Sequence, residues 1–184
     1  MKATIAVAVI APVVLAFLPL QAVAATAWIF NGPCKDGSLK RGQPTDDLRA
    51  ITGETISCNQ AILMELKNGR KLIHFNTQNG TPLGFAGTVL DTKTNPKLMI
   101  FPLDRIYPVR DLGQRPDDIY QRSRSGEGVL DGAQGFCFFN SHTLNEVTGL
   151  SCTAMHQIGD RKVVYRVGID PAAKPIRKVL PDPE

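Results

Sequence analysis

Four cysteines, Cys34, Cys58, Cys137 and Cys152, stand behind an N-terminal apolar run, two in each half of the remaining chain. In an exported chain an even cysteine count implies a disulfide framework, because the compartment is oxidising, and four cysteines permit three connectivities. Spacing favours Cys34 with Cys58 and Cys137 with Cys152, since each pair is close in sequence and separated by turn-rich or polar residues that let the chain fold back. Closing loops of this length contributes on the order of 3 kcal/mol each in the chain-entropy account.

The export reading rests on the first residues. Lys2 precedes an unbroken apolar run over positions 3–20, then Gln21 and the small triplet Ala22-Val23-Ala24. This is the n-region, h-region and A-x-A pattern of a secretory signal, with cleavage expected after Ala24. The run of 18 residues approaches the roughly 20 needed to cross a bilayer, but Pro12 and Pro19 interrupt it and no basic cluster follows. No cysteine follows the small residues, so the lipoprotein attachment pattern is missing. The expected product is periplasmic or secreted and not integral to a membrane after cleavage. Removing 24 of the 184 residues leaves 160, enough for one domain with a sizeable core. The remaining charge is 20 basic against 17 acidic residues, the two signs are interleaved, and aromatic content is 7%. That composition argues against a nucleic-acid partner.

Local pattern points to strands. Positions 60–76 place apolar and β-branched stretches on both sides of Asn68-Gly69, a pair suited to a type I′ hairpin turn. A two-residue turn there sets Lys67 opposite Arg70, Met64 opposite Ile73 and Ile62 opposite Phe75. Ile62, Met64, Leu66, Ile73 and Phe75 then share the core face, and His74 lies on the other side opposite Leu63. A second hairpin is expected over 150–169, turning at Gly159-Asp160, with His156 on the face of Cys152, Ala154, Val163 and Tyr165. The two regions share an order of features, but Cys58 lies ten residues before Asn68 and Cys152 seven before Gly159. That difference inverts strand parity and opposes an internal duplication unless a bulge restores it.

Between the hairpins, Pro82, Pro96, Pro102, Pro108 and Pro116 separate short apolar pieces that read as short or edge strands. Positions 115–128 are polar enough for a long exposed loop. Short helices fit 45–51, with Thr45 as N-cap, and 141–147, with Ser141 as N-cap. The end, 171–184, combines four prolines with charge and reads as a loose tail. The expected architecture is mainly β: a small disulfide-stapled sandwich or open barrel of antiparallel hairpins with one or two short helices, a single domain over 25–170.

Chemistry is sparse. Cys137-x4-His142 and Cys152-x3-His156 form a ligand set that zinc accepts, but no C-x2-C half is present and an oxidising compartment removes the thiolates. Without C-x-x-C, thiol redox catalysis has no support, and no cofactor is implied. His74, His142 and His156 allow a nucleophile–base pair only formally, as no G-x-S-x-G elbow occurs and adjacent Ser141 and His142 point apart. Paired glycosidase carboxylates cannot be chosen from sequence. Asn79-Gly80-Thr81 matches a glycosylation acceptor pattern that is common by chance. Arg105, Arg110, Arg115, Arg122 and Arg124 cluster near Asp104, Asp111, Asp117 and Asp118, more simply a solvated, ion-paired face than a grip on an anion. The leading expectation is an exported, non-enzymatic binding module for a protein or anionic ligand, using Arg115, Tyr120, Arg122 and Arg124 of the polar loop. The alternative is a small secreted hydrolase or zinc-dependent enzyme using His142 and His156.

Overall fold

The computed structural model describes residues 26–44, 51–65, 69–77, 83–88, 98–107 and 129–180. They form eleven strands: β1 (Thr26–Asn31), β2 (Leu39–Pro44), β3 (Ile51–Thr55), β4 (Cys58–Glu65), β5 (Arg70–Thr77), β6 (Leu83–Thr88), β7 (Met99–Tyr107), β8 (Leu130–Phe139), β9 (Leu150–Ile158), β10 (Arg161–Ile169) and β11 (Ile176–Val179). All pairings are antiparallel, in the order β11-β1-β4-β5-β6-β7-β8-β9-β10-β2-β3. From β4 to β10 every strand lies beside its neighbour in sequence.

The sheet is curled into an open barrel. Phe30 on β1 and Phe139 on β8 are five strands apart in the sheet, which would separate them by about 24 Å on a flat surface. Their ring centroids are 6.3 Å apart. The barrel closes where the chain leaves β1 and reaches both β4 and β10: Cys34 N–H donates to Cys58 O at 2.9 Å, and Lys35 N–H donates to Gly168 O at 2.8 Å. Cys34 also bridges Ile169, and its disulfide to Cys58 pins this corner. The second disulfide joins Cys137 and Cys152, which stand directly opposite each other on β8 and β9.

Alternation then sorts side chains to two faces. The inward face is packed with Phe30, Phe75, Phe85, Phe101, Phe139 and Tyr165, each at most 1% exposed, so the barrel is filled. On the outer face of β1, β4, β5 and β6, a second buried cluster contains Ala27, Ile62, Met64, Leu72 and Ala86, with Tyr107 of β7 and Leu180.

Four expectations change in detail. In the first hairpin Met64 pairs with Leu72, Ile62 with His74 and Glu65 with Lys71, one residue away from the two-residue-turn register. Gly69 has φ +75°. Ile62 and Met64 therefore join the outer cluster while Ala61 and Leu63 face inward. Both faces of β4 are apolar, so hydrophobic patterning could not fix the parity. A bulge between Cys58 and Gln60 turns Cys58 inward. The likeness between the halves ends there, because Cys58 bonds the closing corner and Cys152 bonds an adjacent strand.

The prolines did not confine β7 to an edge. Pro102 lies within this central strand, paired with Phe136 and close to a register shift between Leu103 and Arg105. At the same irregularity Gly87 lets β6 approach: a Cβ there would fall 1.8 Å from Pro102 O. The stretch after 170, expected to be loose, instead supplies β11, paired along β1, with Leu180 fully buried. Arg177 of β11 lies over the Trp28 ring, 5.7 Å from its centroid. Near 141–147 the helix is a 3-10 turn, Leu144–Glu146, with Thr143 rather than Ser141 at the N-cap position and no side-chain capping bond, while Ser141 Oγ accepts a bond from Thr143 N–H. The helix expected from Thr45 falls outside the described residues, apart from Ile51, which begins β3. The signal segment and positions 79–81 also lie outside them. The hairpin at Gly159-Asp160 forms in the expected register, with Arg161 opposite Ile158 and His156 opposite Val163.

Candidate functional site

A filled barrel directs attention to its outer surface, where burial is uneven. Away from Tyr107, the outward residues of β7, β8 and β9 are half-buried or exposed. Cys137 and Cys152 face the core, so their neighbours Phe136, Phe138, Ser151 and Thr153 must point out. Phe136 is 45% exposed and meets Phe138 edge-on, at 4.6 Å between centroids.

Register lays this wall out as rows. Ile100, Phe138, Ser151 and Gly168 lie side by side on β7 to β10; Pro102, Phe136, Thr153 and Arg166 form the next row; Gln134, Met155 and Val164 follow. Gly168 makes room for Lys35, since a Cβ there would sit 3.0 Å from Lys35 Cδ. The Lys35 ammonium reaches Asp170 at 2.8 Å. Beside it, Asn140 braces the loop before β9: its Oδ1 accepts from the N–H groups of Thr148 (3.0 Å) and Gly149 (2.9 Å), and its Nδ2 donates to Thr148 Oγ1 at 2.6 Å. Lys35, Leu98, Phe138, Asn140, Leu150 and Ser151 line a cleft of about 310 Å³ at this end of the wall.

Charge on the wall is selective. Asp170 is held by Lys35, Asp104 by Arg70, and Asp131 by Arg105 at 2.7 Å. Among the described residues the Arg166 guanidinium and the Lys162 ammonium, both outward on β10, have no acidic partner. The wall therefore offers two aromatic rings, short hydroxyls and amides, and positive charge that has no acidic partner among the described residues.

The sequence-based candidates fare differently. Arg115, Tyr120, Arg122 and Arg124 fall outside the described residues. Cys137 and Cys152 are bonded to each other and offer no thiolate to a metal, which overturns the zinc set. His142 is exposed in the loop beside Leu150, while His156 is half-buried six residues along β9, on the order of 20 Å of strand away. The structure does not bring these histidines together. His74 is fully buried against the outer cluster, and neither ring nitrogen has a hydrogen-bond partner. Burial lowers its pKa to about 3, with the nearby Asn76 side chain offsetting part of the effect.

The aromatic pair went unnoticed in the sequence, although a signal was present. Once Cys137 is assigned to the core, strand parity sends Phe136 and Phe138 outward. Among protein-family models, curated proteins and solved structures, none matches this chain.

Proposed function

We propose that this chain is an exported, non-enzymatic binding module that takes an anionic ligand on the open wall of β7 to β10. Export is supported by the signal pattern at positions 1–24 and by the two disulfides. Among the described residues no helix is long and apolar enough to cross a membrane. The observation that carries the reading is exposed Phe136, packed edge-on against half-buried Phe138 and standing in the row that holds Arg166, on the outside of a barrel whose interior is filled. An exposed aromatic ring with a cation two strands away along the same row supplies contact area and orientation to a ligand that joins an apolar surface to a negative group.

The test uses anilinonaphthalene sulfonate, an aromatic anion, as a fluorescent probe. The folded wild-type chain is expected to enhance its emission, and Phe136→Ser and Arg166→Gln each to weaken binding about tenfold, the size of one interfacial anchor. Circular dichroism should be unchanged in both variants. Equal probe affinity in all three proteins would contradict the assignment.

A further inference from the structure

We infer that the open wall binds an acidic polysaccharide built of carboxylated sugar rings; the inference rests on the anionic-site reading above. Three features of the wall converge on that chemistry. First, β7, β8, β9 and β10 each have a strand on both sides, so their backbone donors and acceptors are already paired. An extended peptide cannot add itself here as a further strand, and recognition has to run through side chains.

Second, the side chains alternate apolar surface with short hydrogen-bonding groups at one strand spacing. Phe136 stands beside Thr153, and Phe138 beside Ser151, with Gln134 in the adjoining row and Asn140 at the cleft. A sugar ring presents the matching surface, a C–H face for the phenyl ring and peripheral hydroxyls for Thr153, Ser151 and Gln134. A purely apolar partner would leave those polar groups dry and unpaired.

Third, charge is present in small measure. Arg166 lies two strands from Phe136 in the same row, roughly 10 Å across the sheet, a span its long side chain can shorten. Its guanidinium suits a carboxylate, which it can engage through two parallel hydrogen bonds. Lys162 lies farther along the same face of β10. Two cations suit a polymer with one carboxylate per ring better than a nucleic-acid backbone, whose binding proteins commit many cations to phosphates. Lys35 is neutralised by Asp170 and leaves the cleft suited to uncharged hydroxyls.

Binding is measured by calorimetry on the full chain with polygalacturonate, carboxyl-reduced polygalacturonate and poly-L-glutamate as probes. Polygalacturonate should bind, with affinity falling about tenfold in Phe136→Ser and again in Arg166→Gln. Arg166→Lys should restore only part, because the paired hydrogen bonds are lost. The carboxyl-reduced polymer should bind more weakly to wild type and be indifferent to Arg166→Gln. Equal binding of poly-L-glutamate, or polygalacturonate binding that ignores Phe136→Ser, would overturn sugar recognition and leave an anion site. No polygalacturonate binding by a protein that still binds anilinonaphthalene sulfonate through Phe136 would overturn the saccharide inference alone. Loss of both would overturn the binding-wall reading as well.

Discussion

Two stretches of outer wall on the same sheet have opposite characters. On β1, β4, β5 and β6 the outward residues are dry: Ala27, Ile62, Met64 and His74 are fully buried, with Leu180 packed against the cluster. On β7, β8 and β9 the outward residues Phe136, Phe138, Thr153 and Met155 remain in contact with solvent, although two of them are phenylalanines. A buried apolar face stabilises the fold, whereas an exposed aromatic pair contributes little to it and needs another explanation. The comparison separates residues that hold the barrel from residues that the proposed binding role would use.

The largest expected contrast comes from placing one charge on each wall. Met64→Asp buries a carboxylate without a partner and should remove most of the stability of the domain, leaving little folded protein by circular dichroism. Ile100→Asp, in a half-exposed position of the open wall, should shift the denaturation midpoint by less than about 1 kcal/mol. Equal losses would erase the distinction.

Acid should act on the covered wall through His74. Its folded-state pKa is lowered to about 3 from the ordinary 6.5, so between those values the unfolded chain binds a proton that the folded chain refuses. Stability therefore falls as pH drops from 6.5 towards 3, by up to about 5 kcal/mol from this residue. His74→Met should flatten that part of the pH profile in urea titrations. Because the ring nitrogens lack partners, it should cost little at neutral pH. An unchanged acid limb in His74→Met would show that other groups govern it.

The corner where the barrel closes gives an intermediate effect. Cys137 and Cys152 are fully buried, while Cys34 is partly exposed at a cleft of about 360 Å³ formed with Lys35, Ser38 and Ser57. Mild reductant followed by alkylation and peptide mass analysis should label Cys34 and Cys58 first. Replacing that pair by serine should cost about 3 kcal/mol, the closure entropy of a loop this long. Simultaneous labelling of all four cysteines would mean that the corner has no separate stability. The smallest stability effects belong to the open wall itself: Phe136→Ser and Arg166→Gln should each change unfolding free energy by less than about 1 kcal/mol while weakening ligand binding.

The contrast also explains what the sequence disclosed. Cysteine pairing and the Gly159-Asp160 hairpin were legible because local spacing and turn chemistry act over few residues. The register at Gly69 was not, because β4 and β5 are buried on both faces and period-2 patterning loses its meaning there. The covered wall was hidden for the same reason: His74 reads as an outward polar residue until the second layer is known. β11 was hidden by Pro171 and Pro175, which precede the strand and leave Ile176 to Val179 free to pair. The rows joining Phe136 to Arg166 depend on pairing between β8, β9 and β10, of which only the β9–β10 half is a local hairpin.

The two methionines provide the most direct measurement. Met64 is fully buried on the covered wall, and Met155 stands half-buried on the open wall, one strand from Gln134. Hydroxyl-radical footprinting read by peptide mass spectrometry, with and without polygalacturonate, reports on both walls in one sample. Oxidation of Met155 and Phe136 is expected to be fast in the free protein and protected by the polymer, while Met64 stays unreactive in both states. Unaltered oxidation of Met155 and Phe136 when polymer binds, with protection appearing elsewhere, would contradict the assignment of the open wall as the binding surface.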